Sequence, residues 1–289
     1  MNSVKKLFVD FSELVMFKHS VFSLPFIFIA MIVASYLDSG SGWFGWRLLL
    51  LGALAAVTAR NFAMGVNRYL DRDVDILNPR TKGRPSVDGR VSNAQMLGFI
   101  LINALLFIVV AYFVNTLALQ LSLPILVVLG AYTLFKRFSA LAHLILGVSL
   151  GLAPIAGVVA VSGEITLWSL YLALGVMFWV AGFDLLYSLQ DMEFDKANNL
   201  HSIPSKYGAQ KTMWIARVFH MLAVAFWIAF VLQAALGLWA QIAVLFSAMM
   251  LTYEHYIVNK DFTKIDKAFF TVNGYLGFVF ILLIIVEVA

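Results

Sequence analysis

Nine long apolar runs, parted by short polar loops, make up most of the chain. They cover 17–37, 47–70, 94–115, 117–135, 140–161, 167–190, 212–232, 236–257 and 268–288. Each is close to the roughly 20 residues that a helix needs to cross the hydrocarbon core. The expected fold is therefore all-α: a polytopic membrane bundle of nine transmembrane helices forming one integral membrane domain over 1–289. Pro25, Pro124 and Pro154 fall inside such runs. They predict kinks that neighbouring helices must accommodate.

The loops alternate in charge. The stretches near 1–16, 71–93, 136–139, 191–211 and 258–267 carry Lys5, Lys6, Arg72, Arg80, Lys82, Arg84, Arg90, Lys136, Arg137, Lys196, Lys206, Lys211, Lys260, Lys264 and Lys267. The opposite loops, near 38–46, 116, 162–166 and 233–236, carry neither Lys nor Arg. The positive-inside rule then puts the N-terminus in the cytoplasm and the C-terminus across the membrane. This predicts a cytoplasmic (inner) membrane protein. Runs two and six each lead into an acidic loop on the cytoplasmic side, and runs four and eight each end near basic residues. That layout predicts two four-helix pseudo-repeats plus a ninth helix, with a site between the halves.

Composition agrees. The chain is 62% hydrophobic and 12% charged, against about 45–50% and about 25% in soluble domains. There are no cysteines, which excludes disulfides and thiolate metal sites. Residues 1–10 lack the long apolar core of a cleaved signal peptide. The net charge of +4 comes from loops on one side, so the partner it implies is the lipid bilayer and no nucleic acid.

The scarce acids are concentrated. Of 16 acidic residues, seven lie in two short stretches, Asn67-Arg-Tyr-Leu-Asp71-Arg-Asp-Val-Asp75 and Asp184-Leu-Leu-Tyr187-Ser-Leu-Gln-Asp191-Met-Glu-Phe-Asp195. At about 100° per residue, Asn67, Asp71 and Asp75 span only about 80° of a helix face. Asp184, Tyr187, Asp191 and Asp195 likewise share a face, while Asp73 and Glu193 point off it. Solvated or salt-bridged loop acids would explain one such cluster. Two with matched spacing on one side point instead to a divalent metal. Mg²⁺ prefers oxygen ligands and is usually held by one or two carboxylates plus substrate phosphates. Asp71, Asp75, Asp191 and Asp195 are the candidate metal ligands.

Basic residues follow the first cluster in Asn78-Pro-Arg80-Thr-Lys82-Gly-Arg84-Pro85, and Arg and Lys are the usual partners of phosphate oxygens. Lys136-Arg137 closes run four. Each group also fits a purely topogenic or snorkelling role. Arg60 lies deeper, on the face of Asn67. It fits either a structural pair with a carboxylate such as Asp184 or an anchor for an anionic substrate group. His19, His143, His201, His220 and His255 show no ligand spacing, so no histidine metal site is expected.

The two acidic motifs, with Asn78-Pro-Arg80-Thr-x-x-Arg84-Pro85 and Tyr132-x-x-x-Lys136-Arg137, resemble the UbiA superfamily of membrane prenyltransferases over the whole chain. Phe183–Asp195 and Leu200–Pro204 are similar to its quinone-pathway branch, which includes 4-hydroxybenzoate polyprenyltransferases. The stretch Phe17–Pro25 resembles a subgroup proposed to serve the futalosine route to menaquinone. The resemblance implies Mg²⁺-dependent transfer of a polyprenyl group from polyprenyl diphosphate to an aromatic carboxylate acceptor, of 4-hydroxybenzoate or 1,4-dihydroxy-6-naphthoate type, in ubiquinone or menaquinone biosynthesis. In that scheme Arg80, Lys82, Arg84, Lys136 and Arg137 bind the diphosphate, Asn67 helps by ligation or hydrogen bonding, and Arg60 binds the acceptor. Asp184, Tyr187 and Asp191 are the catalytic candidates. A cation-coupled transporter is the alternative, although coupling ions usually bind near the midplane rather than at helix ends. A membrane scaffold would leave the matched acid spacing without a reason.

The charge asymmetry makes a direct prediction. In this cysteine-free chain, single cysteines placed in loop 78–90 or near residue 200 are expected to react with an impermeant thiol reagent only from the cytoplasm. Cysteines near residues 40 or 163 are expected to react only from outside. Outside labelling of loop 78–90 would contradict the orientation.

Overall fold

The computed structural model describes residues 3–15 and 24–289, and the described residues contain helices and no strands. Helix α1 is Ser3–Leu14, α2 Leu24–Ser39, α3 Trp46–Leu70 and α4 the short Arg72–Leu77. Then come α5 Asn93–Val114 and α6 Thr116–Ala131, which tightens into a 3₁₀ turn over Tyr132–Arg137. Helices α7 (Ala142–Ser162) and α8 (Leu167–Ser188) follow, and a 3₁₀ turn at Leu189–Asp191 leads into α9, Met192–Ala197. The chain ends with α10 (Ile203–Gln233), α11 (Leu238–Lys260), one turn α12 (Ile265–Lys267), a π turn over Ala268–Val272, and α13 (Asn273–Val288).

Seven helical segments among the described residues are long and apolar enough to cross a membrane, and the chain is a multi-pass membrane protein. The other two of the nine expected runs are also helical. Helix α2 has 16 residues as described, because the start of its run lies outside the described residues. So does most of the Phe17–Pro25 stretch, and so does His19. Helix α11 has 23 residues, but Gln241, Glu254 and His255 dilute its apolarity. Pro25 lies in the first turn of α2, where a missing N–H is tolerated. Helices α6 and α7 continue through Pro124 and Pro154.

The core sits where α2, α8, α10 and α13 meet. Phe26, Trp179, Trp227 and Phe280 are fully buried there. The Phe26 ring lies 5.0 Å from Trp179, 5.6 Å from Trp227 and 5.5 Å from Phe280. Helix α7 threads between α8 and α2 because glycine lets it. A Cβ at Gly147 would meet the Met177 carbonyl oxygen at 2.3 Å, and one at Gly157 the Ile27 carbonyl oxygen at 2.5 Å. Outward-facing Leu101, Leu105, Val127 and Leu232 are well exposed, as expected where lipid rather than water is the solvent.

Both acidic motifs sit at helix ends, where the backbone bends without losing its ladder. The Asp71 N–H donates to the Asn67 carbonyl and the Asp75 N–H to the Asp71 carbonyl, so the face predicted from spacing persists across the α3–α4 junction. The α8–α9 junction instead passes through the 3₁₀ turn Leu189–Asp191, and Asp184, Tyr187, Asp191 and Asp195 still border one cavity. At Gly208, φ is +78°, a left-handed conformation that suits glycine. It separates the first turn and a half of α10 from its long membrane portion.

Candidate active site

A cavity of about 730 Å³ opens between α3, α6, α7 and α8, within the usual range for a small-molecule site. Its deep wall is apolar: Ala55, Ala56, Ala59 and Ala63 of α3, Phe107, Leu129, Leu150, Ala153 and Ala156. Alanine at successive i, i+3 and i+4 positions keeps α3 from filling the space. Only Gly52, Thr58, Gly65 and Arg68 of that helix are buried.

The mouth is ionic. Asp71, Asp75, Asp184, Asp191, Asp195 and Glu13 line it, facing Arg60, Arg68, Arg80, Arg84 and Lys136. Asp71 and Asp75 are 2% and 4% exposed, so ionised carboxylates there need compensation. Asp71 Oδ2 accepts hydrogen bonds from Asn67 Nδ2 at 2.8 Å and Thr133 Oγ1 at 2.9 Å, and Lys136 Nζ lies 2.6 Å away. Its Oδ1 is buried and accepts no hydrogen bond. Arg84 Nη1 lies 2.6 Å from both oxygens of Asp75.

The two motifs meet through Arg80. Its Nε donates to Asp191 Oδ1 at 3.1 Å, its Nη2 to Asp191 Oδ2, and its Nη1 to the Tyr187 hydroxyl at 2.9 Å. Asn78 fixes the turn. It accepts the Arg80 N–H at 2.9 Å and donates to Asp191 Oδ1 at 3.2 Å. Burial works against the charge on Arg80, but Asp191 and Tyr187 more than offset it, and its pKa is raised.

Most of the residues expected from sequence come together here: Arg60, Asn67, Asp71, Asp75, Arg80, Arg84, Lys136, Asp184, Tyr187, Asp191 and Asp195 all line the cavity. Two expected diphosphate ligands do not. Lys82 is exposed on the loop and does not border the cavity, because the Arg80 and Arg84 contacts turn the intervening residue outward. Arg137 also lies outside the lining. It donates to Asp73 at 2.7 Å and 2.9 Å and to the Leu70 carbonyl at 2.5 Å. Those hydrogen bonds hold the Asp73 carboxyl below the usual carboxylate range. Asp73 and Glu193 are exposed, as their off-face spacing predicted. Arg60 Nη2 reaches the Val15 carbonyl at 3.5 Å, and Asp184 is paired with His143 at 2.7 Å rather than serving as the partner considered for Arg60.

Three participants, Thr133, Arg68 and His143, escape the motif spacing, and Tyr132 of the Tyr132-x-x-x-Lys136-Arg137 motif joins them. Thr133 joins Asn67 and Asp71. Arg68, 5% exposed, donates to Asn67 Oδ1 at 2.8 Å. Tyr132 lines the cavity beside Lys136, and His143 stands behind Asp184. An arginine eight residues after Arg60 on the same helix was the one available signal for Arg68. A histidine opening an otherwise apolar helix was the one for His143.

The donor set fits a hard divalent cation. All candidate ligands are carboxylate oxygens, and Asp71 Oδ1 accepts no hydrogen bond, its nearest cation being Arg137 Nη2 at 3.9 Å. Among the described residues no group of three His, Asp or Glu side chains is already gathered tightly enough to hold a metal. Further oxygens would have to come from a ligand.

A model of the UbiA prenyltransferase family matches residues 24–283. A 4-hydroxybenzoate octaprenyltransferase from Herminiimonas arsenicoxydans is 27% identical over 234 residues, covering 80% of this chain and 81% of the relative. Another, from Paracidovorax citrulli (strain AAC00-1), is 29% identical over 242 residues, covering 83% and 81%. The apo structure of a UbiA homolog from Aeropyrum pernix K1 has a TM-score of 0.84 at 31% identity, over 94% of this chain and 98% of that one. A UbiA homolog from Archaeoglobus fulgidus bound to GPP and Mg²⁺ has a TM-score of 0.72 at 17% identity, over 95% and 99%, and shares the fold.

Arg84→Ala would leave the Asp75 carboxylate without its cation. Breaking a buried pair costs about 3–5 kcal/mol. Arg84 is 24% exposed, so a loss of about 3 kcal/mol or less is expected. Thermal unfolding in detergent checks this. The midpoint should fall in Arg84→Ala and largely recover in Arg84→Ala/Asp75→Asn. A double variant no better than the single would contradict the pairing argument.

Proposed function

Because the chain belongs to the UbiA prenyltransferase family and is a prenyltransferase, we propose that it transfers a polyprenyl group from its diphosphate to an aromatic hydroxy-carboxylate, of 4-hydroxybenzoate or 1,4-dihydroxy-6-naphthoate type, in quinone biosynthesis. The observation that carries this reading is the cavity itself, with an ionic mouth over an apolar shaft. That shape suits a molecule with a highly charged head and a hydrocarbon tail. The relatives named as 4-hydroxybenzoate octaprenyltransferases support the acceptor class. The cation-coupled transporter has no support in the family match. We further read the fold as nine spans in two four-helix halves plus one, with the mouth facing the cytoplasm.

Mg²⁺ is the proposed cofactor, held by Asp71, Asp75, Asp191 and Asp195. When bound it supplies charge neutralisation of the leaving diphosphate. The electrostatic balance of the mouth argues for it. Five cations against six acids give a diphosphate no net attraction. A diphosphate that draws Arg80, Arg84 and Lys136 away from their carboxylates leaves those carboxylates to be satisfied by a metal. Arg80, Arg84 and Lys136 then hold the phosphate oxygens. Asn67, fixed by Arg68 and Thr133, keeps Asp71 in place. Alanines 55, 56, 59 and 63 with Phe107 and Leu129 take the first part of the tail and exclude water from the allylic carbon.

The acceptor lies beside Asp184 and Tyr187, with its carboxylate on the Arg60 guanidinium. Its ring carbon ortho to the hydroxyl bonds to the allylic carbon as the C–O electron pair leaves with the diphosphate. Asp184 takes the hydroxyl proton in this step and returns it when the ring loses its own proton to solvent and regains aromaticity.

Purified protein should incorporate labelled prenyl diphosphate into an organic-soluble aromatic product only with Mg²⁺ present. Asp71→Ala and Asp191→Ala should each abolish that turnover, whereas Asp73→Ala and Glu193→Ala should leave most of it. Equal losses in the two sets would contradict the metal assignment.

Arg60 tests the acceptor. A planar guanidinium binds a carboxylate through two parallel hydrogen bonds that Lys cannot reproduce. Arg60→Lys is expected to raise the acceptor KM about tenfold or more while leaving that of the prenyl diphosphate nearly unchanged. A selective loss of prenyl diphosphate affinity would move Arg60 to the diphosphate and remove the residue-level support for a carboxylate.

A further inference from the structure

His143 has no part in the chemistry described so far. It sits in the first turn of α7, and its side chain is 8% exposed. Its Nδ1 lies 2.7 Å from Asp184 Oδ2. Its Nε2 is buried and meets no hydrogen-bond partner. An imidazolium would carry a buried N–H at Nε2 with nothing to accept it, which is costly. The arrangement therefore selects the neutral ring with its proton on Nδ1, donating to the carboxylate.

This sets Asp184 apart from the cation-paired carboxylates around it. Asp71, Asp75 and Asp191 are each paired with Lys136, Arg84 or Arg80. Asp184 lines the same cavity but is held by an imidazole. A cation would neutralise the carboxylate and weaken it as a proton acceptor. A neutral N–H donor fixes its orientation and leaves its charge in place. The support is rigid, because Gly147, one turn after His143, brings α7 against the backbone of α8.

We propose that His143 is a positioning residue for Asp184. By holding Oδ2 from behind, it presents Oδ1 to the hydroxyl of the aromatic acceptor. The inference rests on the reading above in which Asp184 faces that acceptor. Asp71, Asp75 and Asp191, paired with cations, are released when diphosphate arrives, while Asp184 is held in one orientation throughout.

The test is steady-state kinetics of the full-length protein with prenyl diphosphate and 4-hydroxybenzoate. His143→Leu should lower kcat about 10- to 100-fold, the scale of a misplaced catalytic group, with an unchanged KM for prenyl diphosphate. His143→Asn, whose amide N–H sits near the Nδ1 position, should recover most of that loss. His143→Gln, whose donor lies one atom further out, should not. His143→Leu/Asp184→Asn should be no slower than Asp184→Asn alone, since the first residue acts through the second. Wild-type kcat in His143→Leu, equal recovery by Asn and Gln, or losses that multiply in the double variant would each overturn the proposal. Should His143→Leu fail to fold, the Asn and Gln variants decide. An Asp184→Asn enzyme with full activity would instead overturn the role given to Asp184, which separates failure of that reading from failure of this one.

Discussion

Carboxylates buried at one end of a membrane bundle must be neutralised, and the shape of the mouth follows from how this chain does it. Moving an ion out of water costs several kcal/mol even after relaxation. Asp71, Asp75 and Asp191 meet that cost by pairing with Lys136, Arg84 and Arg80. The partners come from different parts of the sequence. Lys136 lies in the turn after α6, and Arg80 reaches across to the end of α8. The pairing thus pins the loop after α4 over the cavity and joins the two motifs into one site. The same pairs define what the site accepts. A ligand that takes the cations must also bring something for the carboxylates. A diphosphate with a divalent cation would do both, the metal offsetting most of the charge that the diphosphate brings.

The second requirement is space, and it is met by small residues. Alanines on α3 and glycines on α7 have opposite effects. The alanines hold neighbouring side chains apart along one face and leave a shaft. The glycines let α7 approach the α8 and α2 backbones and close the bundle behind that shaft. The fully buried Phe26, Trp179, Trp227 and Phe280 gather at the α2–α8–α10–α13 core and do not border the cavity. Where side chains face lipid, burial by protein is not required, and α5 accordingly shows leucines well exposed on its outer side.

The sequence made the fold class legible because a helix must satisfy its backbone within itself to cross lipid, which leaves long apolar runs in plain view. It made most of the charged cavity lining legible because carboxylates are rare in such a chain, and a spacing of four puts Asp71 with Asp75 and Asp191 with Asp195 on one face. It also predicted that Asp73 and Glu193 lie off that face. It failed where placement depends on a loop path or a tertiary contact. Lys82 and Arg137 look like diphosphate ligands by proximity, but the Asn78-centred turn and the Asp73 partner direct them elsewhere. Thr133 has no local pattern at all, and His143 only its place at the start of an apolar helix. Each becomes visible only when α6 and α7 are packed against the ends of α3 and α8.

The central claim is the exchange of partners at the mouth. A structure of this chain with an unreactive prenyl thiodiphosphate and Mg²⁺ tests it most directly. The account predicts Arg80, Arg84 and Lys136 on the phosphate oxygens, their former carboxylate partners on metal, and the His143–Asp184 contact unchanged. A bound diphosphate with Arg80–Asp191, Arg84–Asp75 and Lys136–Asp71 all still intact would contradict it.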